Sequence, residues 1–188
     1  MTKKDVGAIL KTAISLFLIC AVAAGLVALV NTVTAETIEL NGIEEANKAK
    51  SAVLPAAESF EDVALADGST GFVGKNAAGE TVGYVFSSSA NGYGGKVGIM
   101  TGFDTSGAVT GVQILDIEET PGLGMKAKES AFLDQFTGKT DELKVTKTGA
   151  PANDEIQALT SATITSRAMV KAVNAARLYF AEVTGKGE

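Results

Sequence analysis

Three features of the amino-acid sequence predict an α+β protein in which an N-terminal transmembrane helix precedes one domain, an antiparallel β-sheet with flanking helices. Residues 12–30, TAISLFLICAVAAGLVALV, carry no charge. Between residues 60 and 117, strand-like runs alternate with short turn clusters. From Met169 to Val183, apolar residues recur with the period of a helix. The chain has 188 residues, 46% of them hydrophobic, which is room for one ordinary domain plus an appendage and enough apolar side chain for a folded core.

The uncharged run is long enough to cross a bilayer as a helix, which takes about 20 apolar residues. Lys3, Lys4 and Lys11 precede it with only Asp5 opposing them, and the next charges are Glu36, Glu39, Glu44 and Glu45. Because positive charge is retained on the cytoplasmic side, this asymmetry puts the N-terminus inside and the rest outside. The expectation is a single-pass protein of the cell membrane: residues 1–11 cytoplasmic, a transmembrane helix over 12–34, a juxtamembrane helical segment over 35–58 and an extracytoplasmic domain over 59–188. The alternative is a cleaved secretory signal, for which Val33, Thr34 and Ala35 form an acceptable site. A signal's apolar region usually spans only about 7–15 residues, however. Ile19 before Cys20 argues against a lipoprotein signal.

After the membrane run, Ile38, Ile43, Ala46, Ala49 and Val53 form the loose stripe of a helix that Pro55 ends. FEDVAL, TVGYVFSSS, KVGIMTGF and AVTGVQILDI then read as strands, with turn clusters at 67–69, 76–79, 91–95 and 104–107. Such short connections favour an antiparallel meander. In MKAKESAFLDQF, Phe132, Leu133 and Phe136 have the spacing of a short amphipathic helix. ELKVTKT and EIQAL read as two further short strands. The last helix turns Met169, Val173, Ala176, Phe180 and Val183 inward and leaves Lys171, Asn174, Arg177 and Glu182 for its outer face.

Composition removes several functions. A net charge of −6, with no basic stripe beyond the first residues, argues against nucleic-acid binding, which needs clustered Lys and Arg to displace counterions. There is no histidine, and the single cysteine, Cys20, lies in the membrane run, so zinc, haem and iron–sulfur ligation have no donor set and no metal site is expected. Redox chemistry would have to come from an organic cofactor.

Three stretches carry candidate chemistry. NGYGGKVG, residues 91–98, fails the P-loop template because Ala90 and Val97 stand where glycine and Ser or Thr are needed, and it fails the dinucleotide fingerprint at Val97. It is either a flexible hairpin tip or a place where the backbone at Gly94 and Gly95 approaches a ligand closely. ETPGLG, residues 119–124, is a strong turn former at Pro121 and Gly122. It also presents Leu123 between two glycines, where it would cover a flat ligand. LTSATITS, residues 159–166, crowds Thr160, Ser161, Thr163, Thr165 and Ser166 at the start of the last helix. One or two of these hydroxyls, Thr163 or Thr165, would serve as an N-cap, worth about 1 kcal/mol. The surplus suits a phosphate seated at the positive end of the helix.

LTSATITS also resembles the flavinylation motif of the FMN-binding domain family, Ser/Thr-Gly-Ala-Thr followed by a further hydroxyl. GYGGKVGIMTGFDTSGAVTGVQILDIEETPGLG with FLDQF resembles the G subunit of Rnf electron transport complexes, and the likeness reaches through the N-terminal anchor. The resemblance implies that a flavin transferase, using FAD and Mg²⁺, joins FMN to Thr163 through a phosphodiester. Thr160, Ser161, Ala162 and Thr165 would surround the phosphate, with help from Arg167. Glu119, Thr120 and Leu123 would meet the isoalloxazine, and Gly94 and Gly95 would allow close approach. It further implies an electron relay with no turnover of its own, working in the bilayer with the other membrane and peripheral Rnf subunits, where transfer between ferredoxin and NAD⁺ drives cation translocation. The C subunit of a sodium-pumping NADH:quinone reductase and a stand-alone anchored flavodomain for extracellular electron transfer are the alternatives. A flavin-free anchored binding module is the reading from a different class. This chain departs from the motif at two positions, with Ser161 in place of the glycine and Gln157 where many members have aspartate. Serine keeps the turn if its φ is negative.

Overall fold

The computed structural model describes residues 3–147 and 151–185, with side chains at all of these except 3–9, 12 and 36–41. The chain forms two compact units, residues 1–44 and 45–188. The described residues of the first lie within α1 (Lys3–Val53). Its segment Ala13–Ala35 is long and apolar enough to cross a membrane, and none of it is buried in the protein. Phe17, Ile19 and Val27 point outward along it. Ser15, Thr32 and Thr34 each donate a hydroxyl hydrogen bond to the carbonyl four residues earlier, at 2.9 Å. A hydroxyl in a helix without water needs such an internal acceptor. Lys3, Lys4, Asp5, Glu36 and Glu39, on which orientation turns, lie outside the residues whose side chains are described.

The second unit is an antiparallel sheet in simple sequential order: β1 (Ser59–Ala64), β2 (Thr70–Lys75), β3 (Thr81–Asn91), β4 (Lys96–Asp104) and β5 (Val109–Ile117). This is the expected meander with one strand more than expected. β2, TGFVGK, has only two adjacent apolar residues and therefore no alternation to read. Its glycines are packing positions: a Cβ on Gly71 would lie 2.6 Å from the Phe86 ring, and one on Gly74 2.5 Å from Leu54.

Side chains alternate across the pleat, so the sheet carries a core on each face. On one face Phe86, Ile99, Phe103 and Val112 pack beneath Met169, Val173, Ala176 and Phe180 of the last helix, α3 (Thr163–Thr184). On the other, Val85 and Met100 are covered by Ala49, Val53 and Leu54, where α1 ends. The Lys50 ammonium sits 3.7 Å above the Phe72 ring at the edge of this second core.

The short helix expected over residues 125–136 is instead broken into three turns: a 3-10 turn at Gly124–Lys128, α2 (Ser130–Leu133) and a 3-10 turn at Asp134–Phe136. Glu129 between the first two is extended, with φ −73 and ψ 138. Turns this short do not persist on their own hydrogen bonds. Burial of Ala127, Phe132 and Phe136, the two rings edge to face at 5.6 Å, holds them. The last strands, β6 (Lys144–Thr146) and β7 (Glu155–Gln157), form a separate parallel pair. The Asn174 carboxamide of α3 ties this pair down, accepting from the Leu143 N–H and donating to the Leu143 carbonyl, both at 2.9 Å.

Candidate functional site

The tip between β3 and β4, the loop after β5 and the entrance to α3 meet at one place. The tip closes through the Gly92 N–H donating to the Gly95 carbonyl at 2.8 Å. Beyond β5, Thr120, Pro121, Gly122 and Leu123 make a turn in which the Leu123 N–H donates to the Thr120 carbonyl at 3.1 Å. Proline in second place and Gly122 at φ 78 in third are the requirements of a type II turn. It leaves Leu123 41% exposed.

Glu119 joins the two loops. Its carboxylate is buried and accepts the Tyr93 N–H at 2.7 Å and the Gly94 N–H at 3.3 Å. The fit has no room for a side chain at Gly124, where a Cβ would lie 2.7 Å from Glu119 Oε2 and 2.8 Å from Thr165 Oγ1. The Tyr93 and Gly94 N–H groups thus serve this carboxylate. Gly94 and Gly95 lie against Glu118 and are not among the residues that line the cavity the loops enclose.

At the third element, the Ala162 N–H donates to the Leu159 carbonyl at 3.0 Å, closing a turn over Thr160 and Ser161. Ser161 has φ 63, the only positive φ at a non-glycine residue among the described residues. Serine therefore keeps the turn with a positive φ and not under the negative φ set as its condition, because the turn needs a left-handed residue in third place, the conformation for which the usual glycine is suited. The N-cap expectation is also corrected. Thr163 is the first residue of α3, the cap position is Ala162, and no side chain bonds there. Thr165 and Ser166 are already inside the helix and buried. Ser166 is occupied locally, donating to the Ala162 carbonyl at 3.0 Å and accepting the Leu159 N–H at 2.9 Å. The first-turn N–H groups of α3 have no intrahelical acceptor, and no capping side chain replaces one.

These elements enclose a cavity of about 420 Å³. Glu119, Thr120 and Leu123 line it from the loop, and Ser161, Ala162, Thr163 and Thr165 from the helix entrance. Sequence reasoning missed Tyr93, Gly124 and Ile164, which complete the wall. Two of them had a readable signal: Tyr93 is an aromatic residue in a glycine-rich tip, and Ile164 is an apolar residue off the buried stripe of α3. They are 73% and 49% exposed. Thr160 lines a smaller neighbouring cavity with Gln157. Arg167, expected beside the phosphate, lines a separate groove between α3 and β6 together with Lys171 and Leu178.

The cavity has the size of a small-molecule site, about 300–1,000 Å³. Uncapped N–H groups and hydroxyls sit at the helix entrance, and Tyr93, Leu123 and Ile164 offer apolar surface. That donor set suits a ligand with a phosphate and a flat ring, as FMN has. Fold and site together define a membrane-anchored protein with an FMN-binding domain.

Comparison with known proteins agrees. The family model for the FMN-binding domain matches residues 92–177, a span that holds every residue lining the cavity, and the model for the RnfG N-terminal region matches residues 1–52. The G subunit of the Na(+)-translocating ferredoxin:NAD(+) oxidoreductase complex of Acetobacterium woodii is 41% identical, with 88% of each chain covered. The G subunit of the ion-translocating oxidoreductase complex of Methanosarcina acetivorans is 32% identical over 94% of this chain and 97% of that one. The chain belongs to the RnfG family, the G subunits of Rnf-type ion-translocating oxidoreductase complexes. The crystal structure of Shewanella oneidensis NqrC shares its fold, with TM-score 0.51 at 18% identity, covering 64% of this chain and 65% of that one.

Proposed function

We propose that this protein relays electrons through FMN esterified to Thr163, as the G subunit of a complex that couples electron transfer between ferredoxin and NAD⁺ to cation translocation. The observation that carries the reading is Thr163 itself, the first residue of an uncapped helix, on the wall of a cavity that also holds the ETPGLG turn. When bound, FMN supplies the one- and two-electron chemistry, while the protein sets its orientation and potential. The first-turn N–H groups of α3 and the positive end of its dipole offset the phosphodiester charge. Thr120 offers a polar edge, and Leu123, Tyr93 and Ile164 offer apolar cover that keeps water from the ring. A flavin transferase would join the Thr163 oxygen to the FMN phosphorus of FAD, breaking the pyrophosphate bond so that AMP leaves and the hydroxyl proton goes with it or to solvent. Thr163 takes no part in later electron transfer. The ester keeps the cofactor in place outside the cytoplasm, where no flavin pool would refill the site, and the domain works there beside the other subunits.

Thr163→Ala, produced with a flavin transferase, is expected to lose the fluorescent flavin band that survives denaturing electrophoresis. No hydroxyl cap is lost, so unfolding should shift by no more than about 0.5 kcal/mol. Peptide mass spectrometry that places FMN on Thr165, or finds none on native protein, would refute the assignment. For orientation, a reporter fused after Glu188 is expected to be active only if it works outside the cytoplasm. Activity of a cytoplasmic reporter there would reverse the topology.

A further inference from the structure

Ser161 holds a conformation that costs an L-residue with a Cβ more than it costs glycine, since the left-handed region crowds Cβ against the backbone. Asp, Asn and Ser reduce that cost when the side chain bonds its own backbone. The bonds of this turn, Ala162 N–H to the Leu159 carbonyl and Leu159 N–H to Ser166 Oγ, involve other groups. The Ser161 side chain is exposed, and the residue lines the cavity two positions before Thr163. Its hydroxyl is therefore free to meet a ligand at the entrance of α3, next to N–H groups that lack intrahelical acceptors. Other hydroxyls of the cluster are less available: Ser166 is bonded locally, Thr165 is buried against Gly124, and Thr160 faces the neighbouring cavity.

We infer that Ser161 is a cofactor-contacting residue, whose hydroxyl donates a hydrogen bond to a non-bridging phosphate oxygen of FMN held at Thr163. The inference rests on the attachment proposed above. Serine in a left-handed turn then exchanges some stability of the empty domain for a tighter hold on the loaded one, because a hydrogen bond to an anion is stronger than one between neutral groups. A glycine at this position gives the relaxed turn without the contact.

The test uses the full-length chain in detergent, made with and without flavin transferase, as wild type, Ser161→Gly and Ser161→Ala. Without flavin, Ser161→Gly is expected to melt a few degrees above wild type and Ser161→Ala no higher than wild type. On flavin attachment, wild type is expected to gain a few degrees more in Tm than either variant. The phosphorus-31 resonance of the phosphodiester is expected to move in both variants relative to wild type. Equal gains in Tm on attachment, with an unmoved phosphorus resonance, would make Ser161 a turn filler and overturn the inference. Failure of the attachment reading itself shows differently, as no flavin on Thr163 in wild type.

Discussion

Glu119 holds the cavity together without needing to touch what fills it. Its carboxylate accepts the Tyr93 and Gly94 N–H groups, so Glu119→Ala leaves two donors without their acceptor. A hydrogen bond to a charged group contributes about 1.5–3 kcal/mol. Glu119→Ala is therefore expected to lower the unfolding free energy by at least about 1 kcal/mol, and to loosen the tip that carries Tyr93. Denaturant unfolding, with Tyr93→Leu as the control for loss of the ring alone, checks this. The opposite defect sits in the sheet, where Thr101 Oγ1 is buried and has no hydrogen-bond partner among the described residues. Thr101→Val keeps the shape and removes the unpaired hydroxyl, so it is expected to stabilise by about 1 kcal/mol in the same measurement. Both motifs of the site were legible from residue type, because proline, glycine and clustered hydroxyls carry local rules. The service of Glu119 to the tip was not. It depends on where β3 and β5 end relative to each other, and nothing in the sequence near either residue encodes that.

At the scale of elements, what stayed hidden was whatever draws its stability from packing rather than local pattern. Four strands alternate clearly enough to be read; β2 does not, since Gly71 and Gly74 make room for Phe86 and Leu54. A helical spacing at Phe132 and Phe136 was real but met by separate turns. The β1–β2 turn illustrates a contact between distant elements with a measurable pH signature. Asp67 accepts the Ser69 hydroxyl at 2.6 Å, the Tyr179 hydroxyl of α3 at 2.7 Å and the Ser69 N–H at 2.8 Å. These bonds, the Ser69 hydroxyl first, lower its pKa from 3.8 to about 2. A carboxyl whose folded pKa is depressed adds stability above its unfolded value and loses it as pH falls through the folded one. The melting temperature is thus expected to fall between pH 3.8 and 2 more steeply in wild type than in Asp67→Asn. Equal slopes in the two proteins would remove this turn from the acid response.

Across the whole molecule, the two units divide the work, and their boundary does not coincide with the end of α1. Among the described residues, none that belongs to either core precedes Ala49, yet Ala49, Val53 and Leu54 belong to the second core. The sheet is shaped for them: a Cβ on Gly102 would lie 2.3 Å from the Val53 carbonyl oxygen, and Leu54 itself is 1% exposed. The sequence showed this segment only as a loose apolar stripe ended by Pro55, because its partners are glycines and single residues on separate strands. Residues 45–54 are accordingly part of the folded domain rather than a spacer. A chain beginning at Glu45 is expected to unfold cooperatively near the melting temperature of the full-length protein's domain. One beginning at Ala56 uncovers Val85 and Met100, which are 0% and 2% exposed in the intact fold. Truncating a single buried leucine to alanine already costs about 2–5 kcal/mol. Removing Val53 and Leu54 together is therefore expected to lower the melting temperature by about 10 °C or more, at roughly 3 °C per kcal/mol for a domain of this size, or to prevent folding. Scanning calorimetry of the two chains decides, and equal melting temperatures would mean that the end of α1 rests on the sheet without supporting it.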